Sequence, residues 1–200
     1  MRSYIPKRVG IGSQKTKRMR SPLSIANGLT FARLIISPIN VWCILEGKFV
    51  LSSAIFVVAV VSDVLDGIFA RREANPSTIG GILDHSADCF FVSSALFALA
   101  IHGSVPLLLP ILVLLAFIQY VLDSRVFQRE QLVPSKLGRW NGIGYFVIVG
   151  IVVGENALNF DWISNLWIRQ TFSWVLIGST ILSSGERLFL LGRRNAREGR

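Results

Sequence analysis

Four aspartates carry the chemistry of this chain. Asp63, Asp66, Asp84 and Asp88 stand in the stretch DVLDGIFARREANPSTIGGILDHSAD, across the junction of two apolar segments. Asp63 and Asp66 are three apart, and Gly67 and Ala70 follow at four and seven, so a helix places all four on one face. After a short polar break, Gly80, Asp84 and Asp88 recur at four-residue steps and line one face of a second helix. Two antiparallel helices facing each other would bring the four acids together with small residues beside them. That is a metal site with room for a ligand. Carboxylates are costly inside a membrane and as a rule functional there, paired or facing a wet cavity. Converging acids repel one another unless cations intervene. A hard, all-oxygen set suits Mg²⁺ or Mn²⁺ better than zinc or copper. The bland alternative, solvated loop acids paired with Arg71 and Arg72 for stability alone, has no need of this spacing.

Taken together, Asp63, Asp66, Gly67, Ala70, Arg71, Gly80, Asp84 and Asp88 spell D-x2-D-G-x2-A-R-x8-G-x3-D-x3-D, with every fixed position met. This resembles the signature of the CDP-alcohol phosphatidyltransferases, integral membrane enzymes of phospholipid synthesis. The resemblance implies transfer of a phosphatidyl group from a CDP-linked lipid such as CDP-diacylglycerol to the hydroxyl of a small polar alcohol, releasing CMP, with Mg²⁺ or Mn²⁺ as cofactor. It further implies that Asp63, Asp66 and Asp84 bind metal, and that Asp88 is the general base and can share a second metal. Gly67, Ala70 and Gly80 would let the nucleotide approach the backbone, Arg71 would hold the diphosphate, and the enzyme would be a homodimer. By themselves the glycines fit plain helix packing almost as well, and Arg71 fits a helix-end side chain reaching for the interface.

Such residues need membrane helices to position them. Hydrophobic residues make up 52% of the 200-residue chain and charged ones 16%, with the apolar residues in long blocks. One helical span takes about 20 of them. Spans are expected over 23–45, 49–71, from 78, 105–122, 140–153 and 166–191, the fifth short unless Leu137 onward joins it. At 1.5 Å per residue Asp63 lies roughly 21 Å into its span, and Asp84 and Asp88 roughly 9 and 15 Å in from the opposite side, within a core about 30 Å thick. Both estimates put the site in one half of the bilayer, with Asp88 the deepest acid of its helix. Lys and Arg crowd residues 1–21, Arg71 and Arg72, the 123–139 connection and the last residues, whereas the alternate connections hold Lys48 alone. By the positive-inside rule this gives an all-α, polytopic protein of six transmembrane helices with cytoplasmic N- and C-termini and the acids at the cytoplasmic face. In a bacterium the host would be the cell inner membrane. The expected organisation is a basic segment over 1–21, a catalytic membrane domain over 22–192 and a basic tail over 193–200.

Asn27, Thr30 and Arg33 lie three apart and share a face of the first span. A similar N-x2-T-x2-R run often precedes the signature in the family. Arg33, inside an apolar span, needs a partner, and the acid cluster is the candidate. A structural helix–helix contact accounts equally well for Asn27 and Thr30. Cys43 and Cys89 sit in apolar segments and read as small buried hydrophobes. Gly150-x3-Gly154 is a close-packing pattern, and Trp162 and Trp167 fit an interfacial belt. No cleavable signal peptide is expected. The net charge of +9 is confined to loops and ends, so nucleic acid is excluded as a partner, and anionic lipid headgroups and phosphate-bearing substrates are favoured.

The acceptor alcohol is harder to read. Arg125, Arg129, Lys136 and Arg139 form a cationic set on the side of the acids and could bind a phosphate on the acceptor, or simply express positive-inside bias. Ser135-Lys-Leu-Gly-Arg139 is similar to a run in phosphatidylglycerophosphate synthases, which typically continue with Lys and Thr where this chain has Asn141 and Gly142. Those enzymes also typically read D-P-x-A-D-K around the last two acids, where His85 and Cys89 stand here. The Asp84-His85 pair looks more like the aminoalcohol phosphotransferases. These departures count against glycerol 3-phosphate without naming a replacement. His85 points off the acid face, which favours packing or a hydrogen bond over catalysis. Two other classes stay open: an intramembrane cation transporter, and a non-catalytic member of the same family.

Overall fold

The computed structural model describes residues 25–72, 78–123, 136–159 and 166–198, with side chains described for 30–65, 83–122, 137–159 and 167–189. The basic segment 1–21, Arg125, Arg129 and Trp162 lie outside the described residues. Among the described residues there are six helices and no strand: α1 (Ile25–Leu45), α2 (Phe49–Arg72), α3 (Thr78–Ile101), α4 (Leu108–Asp123), α5 (Lys136–Leu158) and α6 (Leu166–Glu198).

Glycine stops two of these helices in the same way. Gly47 has φ +69°; its N–H donates to the Ile44 carbonyl at 3.1 Å while the Lys48 N–H reaches the Cys43 carbonyl at 2.8 Å. Gly103, at φ +76°, closes α3 alike, with Gly103 N–H on the Ala100 carbonyl at 3.0 Å and Ser104 N–H on Leu99 at 2.8 Å. Both are left-handed caps that satisfy the last carbonyls of a helix before the chain reverses. Pro106 stands ahead of α4 and Pro110 in its first turn, where no intrahelical N–H is lost. Helix α5 has 23 residues, since 136–139 join it and it runs on to Leu158. Residues 137–158 thus make a full-length apolar helix where 140–153 alone would have been short. Helix α6 continues past residue 191 to Glu198.

The helices pack in a ring, in the order α1, α2, α5, α6, α4, α3 and back to α1, with α3 also touching α5 across it. This makes α3 the spine. Phe91, Ala95, Leu96 and Leu99 of α3 are wholly buried against a core that includes Ile148, Val149, Val152 and Val153 of α5. Close approach of α2 and α5 depends on Gly150, where a Cβ would lie 2.9 Å from Phe56 Cε1. Gly154, its partner in the sequence pattern, faces open space, so only one of the two glycines is needed for packing. Polar side chains tie neighbouring helices: Ser52 Oγ donates to Asn40 Oδ1 at 2.7 Å between α2 and α1, and Ser179 Oγ to Asn141 Oδ1 at 2.6 Å between α6 and α5. Such bonds matter most where no water can replace them.

The outside of the ring is apolar. Ile35, Val50, Val58, Leu122, Trp140, Val175 and Leu182 are each more than half exposed, and Trp167 is 81% exposed. A surface this apolar is covered by something other than water. Leu83–Ile101 and Leu137–Leu158 are long and apolar enough to cross a membrane, and Thr30–Leu45, Phe49–Leu65 and Leu108–Leu122 are shorter apolar helices.

Candidate active site

Asp63 comes from α2, and Asp84 and Asp88 from α3 one turn apart. One oxygen from each carboxylate lies within 4.8 Å of the others. Their side chains are 42%, 36% and 17% exposed respectively, so Asp88 is the most enclosed of the three. Asp66, Gly67, Ala70, Arg71 and Gly80 belong to the same two helices, but their side-chain positions lie outside the described residues. Three hard oxygen donors this close form a set that fits Mg²⁺, whose ligands stand about 2.0–2.1 Å from the ion, or Mn²⁺.

Behind the acids stands Arg33 of α1, 1% exposed. Its Nη1 donates to Oδ1 of Asp84 at 3.3 Å and to Oδ1 of Asp88, and its Nη2 lies 3.7 Å from Oδ1 of Asp63. One guanidinium therefore meets all three carboxylates, which explains a charge in the middle of an apolar helix. Thr30, a turn earlier on α1, donates from Oγ1 to the same Asp84 oxygen at 3.3 Å. The buried partner expected for Arg33 is thus the acid cluster, and Thr30 takes part as well.

In front of the acids opens a cavity of about 810 Å³, walled by α2 to α6. Val60 and Val64 flank Asp63, and Val92, Val113 and Phe146 form an apolar floor. Asn141 and Tyr145 from α5 and Thr180, Ser183, Ser184 and Arg187 from α6 form a further part of its lining. Arg139 of α5 is exposed and stands at this cavity. Lys136 begins the same helix with its side chain outside the described residues, and Arg125 is outside them altogether. His85 packs its ring against Phe117 at 5.6 Å and Tyr120 at 5.0 Å between centroids, the packing role its place on the helix suggests. Arg187 lies 5.1 Å from the centre of the Tyr120 ring.

The α6 residues escaped the sequence reading. From Thr180, Ser183, Ser184 and Arg187 follow at three, four and seven, a polar stripe on a helix whose exposed side is largely apolar. A polar stripe inside a candidate span is a usable signal. It carries no chemistry of its own, unlike paired acids.

A sequence profile of the CDP-alcohol phosphatidyltransferase family matches residues 23–182. The chain belongs to this family. It is 29% identical over 166 residues to a cardiolipin synthase (CMP-forming) of Streptomyces coelicolor, covering 78% of this chain and 75% of that one. It is 23% identical over 197 residues to a cardiolipin synthase (CMP-forming)/mitochondrial hydrolase fusion protein of Schizosaccharomyces pombe, covering 86% of this chain but only 32% of the fusion. A probable phosphatidylglycerophosphate synthase of Mycobacterium tuberculosis is 27% identical over 121 residues, 58% of each chain. The chain thus spans about a third of the fusion protein it matches and three quarters of the Streptomyces relative. The matched region contains the three converged aspartates, Arg33 and most of the cavity wall.

Proposed function

We propose that this chain is a membrane enzyme that transfers a phosphatidyl group from CDP-diacylglycerol to an alcohol hydroxyl, releasing CMP, with Mg²⁺ or Mn²⁺ bound by Asp63, Asp66, Asp84 and Asp88. The observation that carries it is the convergence of Asp63, Asp84 and Asp88 on a cavity large enough for a nucleotide headgroup, in a chain of this family. When bound, the metal supplies positive charge to the diphosphate oxygens and to the departing CMP. Asp88, the most enclosed acid, takes the proton as the acceptor oxygen attacks the phosphorus of the phosphatidyl group and the bond to CMP breaks. Gly67, Ala70 and Gly80 admit the cytidine nucleotide and Arg71 holds its diphosphate. Arg139, with Lys136 and Arg125, draws the acceptor to the other wall.

The chain on this reading spans the membrane six times, with 22–192 as the catalytic domain, both ends and the site on the cytoplasmic side, and two copies to a functional unit. The apolar exterior and the alternation of Lys and Arg among the connections support the spans and the sidedness.

A second reading of the acceptor has its own support. The cavity floor of Val92, Val113 and Phe146 is apolar, and two of the relatives above are named cardiolipin synthases. Making cardiolipin with release of CMP requires an acceptor alcohol that already carries a phosphatidyl group. A lipid alcohol would lie along that floor where a small polar alcohol would leave it uncovered.

The test is CMP release by purified protein given CDP-diacylglycerol and Mg²⁺ or Mn²⁺, with glycerol 3-phosphate, inositol phosphate, inositol, serine, choline, phosphoethanolamine and phosphatidylglycerol offered in turn. One acceptor is expected to stimulate release. Absence of release together with absence of CDP-diacylglycerol binding overturns the reading, and ion flux in proteoliposomes would then point to a transporter.

A further inference from the structure

We infer that α1 is part of the metal site: Arg33, seconded by Thr30, positions the three carboxylates from behind and holds them together at the cavity. Arg33 has no share in the cavity wall and is 1% exposed, whereas Asp63 and Asp84 are each a third or more exposed. The guanidinium grips from the protein side and the carboxylates open to the other. Arg33 meets an Oδ1 atom on each of the three acids, and Thr30 meets that of Asp84. Each acid is thereby tied to α1.

The charges support the same role. With Asp66 counted, four carboxylates and one guanidinium leave a net charge of minus three, which a divalent cation would largely offset. Without Arg33 the carboxylates, on two different helices, would spread apart by mutual repulsion. A planar fork with donors in two directions reaches three acids in fixed directions, where the ammonium of a lysine is a compact point charge without that spread. Groups that orient metal ligands in this way typically change metal affinity by tenfold to a hundredfold when removed.

The inference rests on the metal-site reading, and the experiment separates the two. Mn²⁺ binding is measured on the purified full chain by electron paramagnetic resonance, with thermal melting in chelator and in Mn²⁺, for the wild type, Arg33→Lys, Arg33→Gln and Thr30→Val. Mn²⁺ affinity is expected to fall about fivefold or more in Arg33→Lys, further in Arg33→Gln, and about twofold to threefold in Thr30→Val. Melting in chelator should drop less for Arg33→Lys, which keeps the charge, than for Arg33→Gln. Should Arg33→Gln not fold, Arg33→Lys and Thr30→Val decide the matter alone. Wild-type affinity in Arg33→Lys overturns the proposal, because the fork is then not needed. Tighter binding in Arg33→Gln also overturns it, because the arginine would be only a competing charge. No Mn²⁺ binding by the wild type overturns the metal-site reading itself, and the role of α1 with it.

Discussion

The two walls of the cavity are built on opposite principles. On one, three carboxylates of α2 and α3, backed by the buried guanidinium of Arg33 from α1, concentrate full charges within a few ångströms. On the other, α5 and α6 present hydroxyls, an amide and aromatic rings, with Arg139 and Arg187 the cations among the described residues there. The charged wall suits phosphates and metal, whose positions must be fixed to fractions of an ångström for transfer to proceed. The softer wall suits a ligand recognised by shape and a few polar contacts. A nucleotide-linked donor and a separate alcohol acceptor, as proposed above, would call for this division.

Breaking the charged wall should have the larger effect. Asp88→Asn is expected to lower CMP release about a thousandfold, since it removes the proposed base while keeping the shape of the side chain. Chelation should abolish release from the wild type, and restoring Mg²⁺ or Mn²⁺ should return it. If Asp88→Asn kept within about tenfold of wild-type release, proton transfer would have to be assigned elsewhere. Changes on the softer wall should act on one substrate only. Arg139→Gln and Arg187→Gln should each lower kcat/KM for the acceptor about tenfold, with the KM for CDP-diacylglycerol unchanged. An equal loss for donor and acceptor would erase the distinction between the walls.

The same contrast decides what the sequence could reveal. Asp63, Asp84 and Asp88 were legible because ionised groups in an apolar segment have few explanations and helical spacing aligns them on one face. Arg33 was legible for the same reason, down to its partners. Thr180, Ser183 and Ser184 were not, because hydroxyls in an apolar helix can satisfy their own backbone and carry no cost that points to a site. Ser183 and Ser184 come within a cavity only because α6 lies against both α4 and α5, and no local pattern states which helices meet. Most helix ends were read closely, since apolar blocks are local signals. Helix α5 extends beyond 140–153 at both ends and α6 beyond 191, because polar and basic residues there looked like connections yet continue the helices.

Packing between the walls gives a third, smaller test. Gly150→Leu should destabilise the protein by about 2 kcal/mol, because the side chain must displace the Phe56 ring from between α2 and α5. Gly154→Leu, at an open position, should change stability by about 0.5 kcal/mol or less. Melting in detergent checks both, and equal losses would mean that the two glycines serve one close crossing after all.

The finest test concerns a single hydroxyl pair in the softer wall. Tyr145 of α5 and Thr180 of α6 are both buried, with their oxygens 2.5 Å apart. Thr180 Oγ1 also donates to the Leu176 carbonyl at 2.6 Å, and it has one proton to give. The proton between the two side chains must therefore come from tyrosine. This makes the pair asymmetric. Tyr145→Phe removes a donor and leaves Thr180 bonded to Leu176, at a cost of about 1 kcal/mol. Thr180→Val removes the acceptor and strands the buried tyrosine O–H, at a cost nearer 2 kcal/mol. Melting of the two variants side by side would show the order. If the Tyr145→Phe loss were the larger, the threonine proton would have to point at tyrosine, leaving the Leu176 carbonyl to its backbone donor alone.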